Sequence, residues 1–473
     1  MRFGSLKAAL ARPYRLLREG HALRFGPVAV IRARLLDNLL LRLSDAEHRL
    51  ARPGEGSVLP LDAPIPRRLG ATRNPAQRRS IVFIHHSYYN FFHLAAALRR
   101  RGWDAVSASI EDPNGPNAIY YHGADVDLFD PDPERYHRNL VDFCAEIEQR
   151  FRMVHFYGVG SMSLFPALFD TRRTFDALPT DFLRLRHLGL RIGYSVSGCY
   201  DGVAQSSVKA WSGACDRCVW QNQPGVCADD ANLAWGHKVH MMCDLVATEG
   251  FPALDWQGKT AKVFRDPLTT ALDPDFWRPD LAIPEKYRLA RAPGEMIVYH
   301  SVGNHATRAR DGRDLKGTGA TMAAIERLRS EGVPVRLEFV TNVPNKEVRF
   351  IQAQADIVVD QLNYGRYGAQ AREGMMLAKP TVCYINRNEP PGAERLQSIE
   401  TCPLVSASEQ TIYDVLKALL GDPARRLAIG EASRQFAVKW HSADACAERF
   451  EAVYDRLMSG LPPMPVRTGA AAE

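Results

Sequence analysis

The sequence predicts an α/β protein with two doubly wound domains, a helical arm before them and a cysteine-rich loop excursion in the first. Short apolar runs that suit buried parallel strands alternate with stretches of helical periodicity, on both sides of a connector near residues 255–280. The 473 residues, of which 46% are hydrophobic and 24% charged, are typical of two or three globular domains. These figures exclude a collagen-like, low-complexity or mostly disordered chain.

The first alternating series follows a linker rich in Pro, Gly and Arg. We predict strands at residues 81–84, 104–110, 153–157 and 190–196, and helices at 91–101, 141–150 and 183–188. Strand, helix and strand at this spacing are typical of a Rossmann-like sheet.

The second series follows the connector. We predict strands at residues 296–300, 335–341, 357–360 and 380–385, and helices at 319–330, 346–353, 369–377, 411–420, 423–441 and 445–459. Two such Rossmann-like sheets predict an interdomain cleft between their carboxyl ends, where open parallel sheets bind ligands.

These patterns divide the chain into consecutive parts. We expect an arm at residues 1–52, a linker at 53–78, a first domain at 79–270 with a cysteine-rich insertion at 198–243, a connector at 271–294, a second domain at 295–440, and a closing helix with a flexible tail at 441–473.

The basic charge of the chain lies in the arm. Residues 1–50 contain ten basic and four acidic residues. The net charge of this segment is therefore +6, the same as that of the whole chain. Leucines at 35, 36, 39, 40 and 43 have helical spacing. A basic amphipathic helix suits an anionic membrane surface, and the alternative is a helix packed on the protein body. The neutral body and the lack of interleaved aromatic residues disfavour nucleic acid as a partner.

Neither a membrane span nor a secretory signal is evident in the sequence. We therefore expect a cytoplasmic protein with reduced cysteines, held peripherally at the inner membrane face if the arm binds lipid.

The segment at residues 300–385 contains the pattern most informative about chemistry. Lys316-Gly317-Thr318 precedes a helix and follows a loop with several arginines, and Tyr367-Gly368 precedes a second helix that contains Glu373. A glycine-rich turn before a helix exposes backbone N–H groups that suit a diphosphate. Lys316 with Arg308 or Arg313 could neutralise a departing nucleoside diphosphate, and Glu373 could accept hydrogen bonds from ribose hydroxyls. No metal is required for that chemistry.

This segment resembles the donor half of GT-B glycosyltransferases, in the large retaining group that uses nucleotide sugars and includes surface-polysaccharide enzymes. Six positions match the pattern of that group: Lys316, Tyr367, Gly368, Glu373, Met375 and Pro380. Weaker likeness in the strand at 154–157, the segment 188–201 and the connector 264–279 extends the resemblance to residues 80–455. It implies a donor-binding second domain and an acceptor-binding first domain.

Two positions depart from the pattern of the group. Gly365 stands where the group has a first glutamate, with seven residues between that position and the second glutamate, Glu373, and Ser197 stands where the group has a histidine. His155 or His86 could replace that histidine near the reacting centre. His85, next to His86, is a further candidate for meeting an acceptor, and the alternative for each histidine is a structural role.

Four cysteines, Cys199, Cys215, Cys218 and Cys227, fall within a segment rich in Gly. A Cys-x-x-Cys pair with two further cysteines suits a tetrahedral structural zinc ion, and an iron–sulfur cluster uses the same four thiolates. The alternative is a set of reduced or redox-active thiols.

We therefore expect a glycosyltransferase that moves a sugar from a UDP- or GDP-linked donor to a glycan or lipid-linked acceptor. Two alternatives are a nucleotide-sugar epimerase or hydrolase of the same fold, and a homologue that binds a nucleotide or glycan without turnover.

Overall fold

The computed structural model of the chain describes most of residues 79–464. The described residues are 79–84, 89–115, 118–158, 162, 164, 185–186, 188–199, 201–223, 226–248, 254–256, 262–388 and 396–464. The predicted arm, the linker, His85 and His86 lie outside them. Within this part of the chain, no helix is long and apolar enough to cross a membrane.

The first sheet has seven parallel strands in the order β3-β2-β1-β4-β5-β6-β7. The strands are β1 (Ser80–Ile84), β2 (Asp104–Ser109), β3 (Val126–Asp127), β4 (Met153–Tyr157), β5 (Arg191–Ser195), β6 (Leu245–Ala247) and β7 (Val263–Phe264). This order is that of a doubly wound Rossmann-like sheet, which confirms the predicted fold class of the first half. The sequence did not predict β3, β6 or β7, because each has only two or three residues and shows no alternation.

Among the described residues between β1 and β7, four helices have eight or more residues. They are α1 (Asn90–Arg100), α2 (Pro133–Arg150), α3 (Gln205–Ser212) and α4 (Asp229–Met242). Helix α2 begins eight residues before the predicted start, because the Asp132 side chain accepts hydrogen bonds from the N–H groups of Glu134 and Arg135. An Asp-Pro step is a start signal for a helix that the periodicity alone does not reveal.

The cysteine-rich segment is more than a loop. It contains α3, a 3₁₀ turn at Ala214–Arg217 and α4. Trp235 and Val239 of α4 are fully buried in the core beneath the first sheet. The described part of this segment is therefore largely helical and shares the core of the first sheet.

The second sheet has four parallel strands in the order β11-β10-β8-β9. The strands are β8 (Met296–Ser301), β9 (Val335–Val340), β10 (Ile357–Val359) and β11 (Thr381–Val382). The helices that follow are α5 (His305–Arg308), α6 (Thr318–Ser330), α7 (Asn345–Gln352), α8 (Ala369–Met376), α9 (Gln397–Glu400), α10 (Ile412–Leu420), α11 (Pro423–His441) and α12 (Ala443–Met458). The predicted alternation of this half is confirmed, with most ends shifted by one or two residues.

The closing helix α12 returns to the first sheet. Cys446, Phe450 and Tyr454 share one core with residues of α1 and β1. Glu451 accepts hydrogen bonds from Arg101 at 2.5 Å and from the indole of Trp103 at 2.7 Å. The last helix of the chain therefore packs on the half that begins it, so the two halves are joined by more than the connector.

Candidate active site

The two halves meet along the carboxyl ends of their sheets through direct polar contacts. The Tyr89 hydroxyl donates to Glu373 Oε1 at 2.6 Å, and His122 Nε2 lies 2.7 Å from Asn345 Oδ1. At the other end of the cleft, the side-chain amide of Asn386 donates to the backbone oxygen of Trp211 at 2.8 Å. The two halves therefore touch each other across the cleft.

The described residues of the cleft enclose two cavities of note. The first, the glutamate cavity, has a volume of about 200 Å³ and is lined by Glu373, Gly368, Asn345 and Tyr120, among others. The second, the tryptophan cavity, has a volume of about 230 Å³ and is lined by Trp220 and His305, among others. Both cavities are bounded by Arg308, Lys316 and Gln361. The positively charged side chains of Arg308 and Lys316 therefore lie where the two cavities adjoin.

Lys316 is held in place by a carboxylate that the sequence reasoning did not assign. Its ammonium pairs with Asp360, whose side chain is fully buried, and the Lys316 side chain is 16% exposed. The other oxygen of Asp360 accepts the N–H of Gly368 at 2.8 Å. Asp360 thus ties the Lys-Gly-Thr segment to the start of α8.

The backbone around Lys316 requires a glycine. Gly317 has a φ of +73°, and a Cβ there would lie 2.7 Å from the Cβ of Leu362. The next residue, Thr318, lies 2.9 Å from His300 Nε2, while His300 Nδ1 lies 2.9 Å from the carbonyl oxygen of Val359. Because a carbonyl only accepts, His300 donates from Nδ1 and accepts the threonine hydroxyl at Nε2. Burial lowers the pKa of His300 to about 4, so this side chain is a neutral positioning group.

Glu373 is 2% exposed and accepts hydrogen bonds from Tyr89 and, at 2.9 Å, from Asn345. Burial raises its pKa, and the two hydrogen bonds oppose that shift. The carboxylate lines the glutamate cavity while it joins the two halves of the chain. Both hydrogen bonds go to Oε1 of Glu373.

The two candidate arginines have different surroundings in the structure. Arg308 lines both cavities, whereas Arg313 donates to the backbone oxygen of Asp216 in the cysteine-rich segment. The Tyr367 side chain is 3% exposed, and its hydroxyl lies 3.1 Å from His441 Nε2 in the core. The position of Tyr367 therefore suits a support for the Gly368 turn and does not suit a side-chain ligand.

Gly365 lies against the first half of the chain. It has a φ of +95°, and a Cβ there would lie 2.9 Å from the Trp211 ring. The same ring packs against Arg366, whose guanidinium carbon is 4.6 Å from the ring centroid. Trp211 therefore fills the space into which a side chain at position 365 would project, so a carboxylate there requires Trp211 to move.

Gly365→Ala is expected to lower the free energy of unfolding by about 1–3 kcal/mol, because the left-handed backbone and the contact with Trp211 both oppose a methyl group. Gly421 provides a matched control, since it has a φ of −76° and an added Cβ would meet ordinary contacts at 3.5 Å. Gly421→Ala is expected to leave stability unchanged or slightly higher. Denaturant unfolding measures both, and equal effects would refute the strain at Gly365.

His155 and Ser197, the candidate catalytic residues of the first half that the structure describes, are not among the residues that line these cavities. His155 on β4 is fully buried against the rings of Phe83 and Phe91, and its Nε2 lies 2.9 Å from Ser195 Oγ. Burial lowers its pKa to about 3. A ring in the sheet core cannot reach a substrate in the cleft, so the expectation of a catalytic His155 is corrected here to a structural role. His86 lies outside the described residues.

Ser197 is half-buried, and both its N–H and its hydroxyl donate to Asp201 Oδ2, at 2.9 and 2.8 Å. Asp201 also accepts the Tyr194 hydroxyl at 2.7 Å. Ser197 thus fixes the turn after β5, and this geometry suits a structural contact better than a catalytic one.

The buried histidine makes stability depend on pH. Because the folded pKa of His155 is lowered to about 3, the unfolded chain binds the proton first as pH falls. The contribution of the neutral, buried His155 to the free energy of unfolding is therefore fully present above about pH 6.5, and it is lost as the pH falls toward 3. We expect His155→Phe to show a shallower loss of unfolding free energy below about pH 6.5 than the parent chain, measured by denaturant titration. Loss of ligand binding in the folded variant at neutral pH would contradict the structural role.

The four candidate metal-binding cysteines do meet in space. Cys199, Cys215, Cys218 and Cys227 line one further cavity of about 50 Å³, here called the cysteine cavity. All nine cysteines belong to the described part of the chain, and none forms a disulfide. Among the described residues, no group of three or more His, Cys, Asp or Glu side chains is placed so that it could hold a metal ion. The predicted single zinc ion is therefore not supported.

Several residues of the site escaped the sequence reasoning. Asp360 directly follows an apolar strand, which is a position where parallel sheets present ligands, so its signal was available. Tyr89 and Trp211 carried no such signal, because each acts through a contact with a residue more than 170 positions away along the chain. Asn345 donates to Glu373 from 28 positions away, which is also beyond the reach of local sequence patterns.

The fold and the cavities define an α/β protein with two Rossmann-like sheets and a ligand-sized cleft between them. No known family and no curated protein matches this sequence. Among solved structures, a sucrose-phosphate synthase from Thermosynechococcus elongatus is 13% identical and has a TM-score of 0.48, with 80% of this chain and 99% of that chain covered.

Two further solved structures are similar over comparable lengths. HepE from Anabaena, in complex with UDP-glucose, is 10% identical with a TM-score of 0.47, covering 79% of this chain and 98% of that chain. A UDP-GlcNAc 2-epimerase from Neisseria meningitidis, bound to UDP-GlcNAc, is 10% identical with a TM-score of 0.42, and the match covers 80% of this chain and 99% of that chain.

Proposed function

We propose that this chain is a GT-B glycosyltransferase that takes its sugar from a nucleotide diphosphate sugar. The observation that carries the proposal is the place of Lys316 and Arg308, which bound both cavities of the cleft. A nucleotide sugar has a negative diphosphate between two larger groups. Two adjoining cavities with fixed cations at the junction match that distribution of charge and volume.

In this proposal, the nucleoside lies in the glutamate cavity. Glu373 accepts hydrogen bonds from the ribose hydroxyls, and the diphosphate lies toward Lys316 and Arg308, which also line this cavity. The sugar and the acceptor then share the tryptophan cavity, where the Trp220 ring, 40% exposed, offers an apolar face to a sugar ring.

In the transfer step, the bond between the anomeric carbon and the diphosphate oxygen breaks, a bond to an acceptor hydroxyl oxygen forms, and the proton of that hydroxyl passes to the departing diphosphate oxygen. Charge grows on the departing diphosphate, and Lys316 and Arg308 stabilise it because they are already in place. The resemblance stated above supports retention of the anomeric configuration. The net charge of the arm supports an acceptor held at an anionic membrane surface, namely a lipid-linked sugar or a growing surface glycan.

A thermal-shift screen with UDP, GDP and their sugar derivatives tests the proposal, because a ligand of the folded state raises the melting temperature. Incubation with the radiolabelled donor that binds, with and without candidate acceptors, then distinguishes the possible activities. Transfer of label to an acceptor supports a glycosyltransferase. Free nucleotide with an altered sugar in the absence of acceptor indicates an epimerase, and binding without turnover indicates a non-catalytic homologue. A folded chain that binds none of these compounds would refute the proposal.

A further inference from the structure

We propose that Tyr120, a residue of the first half, contacts the nucleobase of the donor and contributes to the choice of donor. The inference rests on the proposed function and deepens it, because it concerns the base end of the same glutamate cavity. Tyr120 and its neighbour Ile119 both line that cavity, although the other half supplies most of its walls. The donor site is therefore shared between the two halves.

The glutamate cavity has a charged side and an aliphatic side. Its charged side is marked by Arg308, Lys316 and Gln361, which also line the tryptophan cavity. The residues that line the glutamate cavity alone include four aliphatic side chains and an amide, those of Ile119, Val340, Val343, Val348 and Asn342. A nucleobase has apolar faces and a polar edge, so this part of the lining suits it. A donor with its diphosphate at the charged side therefore has its base toward the aliphatic side.

A short turn brings Tyr120 to the second half of the chain. Residues Ala118–Tyr120 form a 3₁₀ turn, and two residues later His122 Nε2 lies 2.7 Å from Asn345 Oδ1. The Tyr120 hydroxyl lies directly against Gly303, because a Cβ on that glycine would overlap the hydroxyl oxygen and lie 3.3 Å from Tyr120 Cζ. The lack of a side chain at Gly303 therefore makes room for Tyr120 in the wall of the cavity.

An aromatic side chain at this end of the cavity suits the base better than the phosphates. Aromatic rings bind planar bases through their faces, whereas a diphosphate is bound by cations such as Lys316 and Arg308. Tyr120 is not among the residues that line the tryptophan cavity, so it lies away from the junction where those two cations stand. Its contribution is therefore expected to depend on the presence of a base in the ligand.

The first test measures the affinities of the full chain for UDP, GDP and inorganic pyrophosphate by calorimetry. Tyr120→Ala is expected to weaken binding of the preferred nucleotide by about 5–100-fold and to leave the affinity for pyrophosphate unchanged, because pyrophosphate has no base. Tyr121→Ala is the matched control. Tyr121 is the next residue, its hydroxyl donates to Asp127 at 3.1 Å, and it is not among the residues that line the cavity. This control is expected to keep the affinities of the parent chain.

Gly303→Ala tests the same contact from the second half. The added methyl group overlaps the Tyr120 hydroxyl and displaces that side chain, so this variant is also expected to bind the nucleotide more weakly than the parent chain. In a chain that already has Tyr120→Ala, the methyl group meets no hydroxyl, and Gly303→Ala is expected to weaken binding little further. The two substitutions are therefore expected to be non-additive, as for residues in contact.

Three results would overturn the inference and leave the proposed donor site in place. The first is unchanged nucleotide affinity in folded Tyr120→Ala and Gly303→Ala chains. The second is an equal loss of pyrophosphate and nucleotide affinity in Tyr120→Ala, and the third is full additivity of the two substitutions. If Tyr120→Ala fails to fold, the nucleotide affinity of Gly303→Ala decides the matter. A folded parent chain that binds neither UDP nor GDP instead refutes the proposed function itself.

Discussion

Lys316→Met is expected to abolish detectable binding of UDP and GDP and to lower turnover by about 10²–10³-fold, because the fixed cation at the junction of the cavities is lost. The same change leaves Asp360 buried without its partner, since the Asp360 side chain is fully buried. Breaking a buried ion pair in this way costs about 3–5 kcal/mol of unfolding free energy. Loss of binding in this variant alone could therefore reflect a disturbed fold.

The double variant Lys316→Met with Asp360→Asn separates these two effects. It removes both charges, and an amide oxygen at position 360 can still accept the Gly368 N–H that Asp360 accepts at 2.8 Å. We expect most of the stability to return while nucleotide binding stays lost, as measured by denaturant unfolding and calorimetry. Lys417→Met is the control, since Lys417 pairs with Glu331 on an exposed surface and such pairs contribute about 0–1 kcal/mol. Nucleotide binding retained by the double variant would refute the role of Lys316.

Glu373→Gln is expected to weaken nucleotide binding by about 10–100-fold, because hydrogen bonds to a charged acceptor contribute about 1.5–3 kcal/mol. The same substitution is expected to raise the free energy of unfolding at neutral pH, although it weakens nucleotide binding. Burial raises the folded pKa of Glu373, so the unfolded chain releases the proton first as pH rises. The parent chain therefore loses stability relative to the glutamine variant as pH rises from about 4 through the raised pKa.

The measurement compares unfolding free energies of the two chains at about pH 4 and pH 7, with nucleotide binding by calorimetry at pH 7. Glu326→Gln is the control, because the Glu326 side chain is 77% exposed and pairs only across an exposed turn of α6. We expect no change in either quantity for that variant. Undiminished nucleotide binding by a folded Glu373→Gln chain would contradict the ribose role.

The second half of the chain was predictable because its local signals agree with its fold. The apolar run before Asp360 gives β10, and the Lys316-Gly317-Thr318 turn gives the start of α6 within one residue. Here a short buried strand and a helix start each depend on neighbours along the sequence, so periodicity and turn chemistry suffice to locate them.

In the first half of the chain, local sequence patterns do not reveal which residues are buried or in contact. His155 lies in a segment that resembles a histidine-bearing strand of the glycosyltransferase group, and only the packing of Phe83 and Phe91 around it shows that it lies in the core. Gly365 likewise departs from the resemblance for a reason found in α3, where Trp211 takes up the space. A sequence does not report which distant ring will lie against a given backbone atom.

The sequence by itself determined the two alternating series of strands and helices, the Lys316 and Glu373 positions and the spacing of the four cysteines. The tertiary structure alone decided that Lys316 is held by Asp360, that Glu373 is shared with Tyr89, and that the cysteines surround one cavity. The physical reason is the separation along the sequence of the residues that interact. Strand and helix formation depends on residues a few positions apart, whereas the site is built from contacts that form only when distant segments pack together.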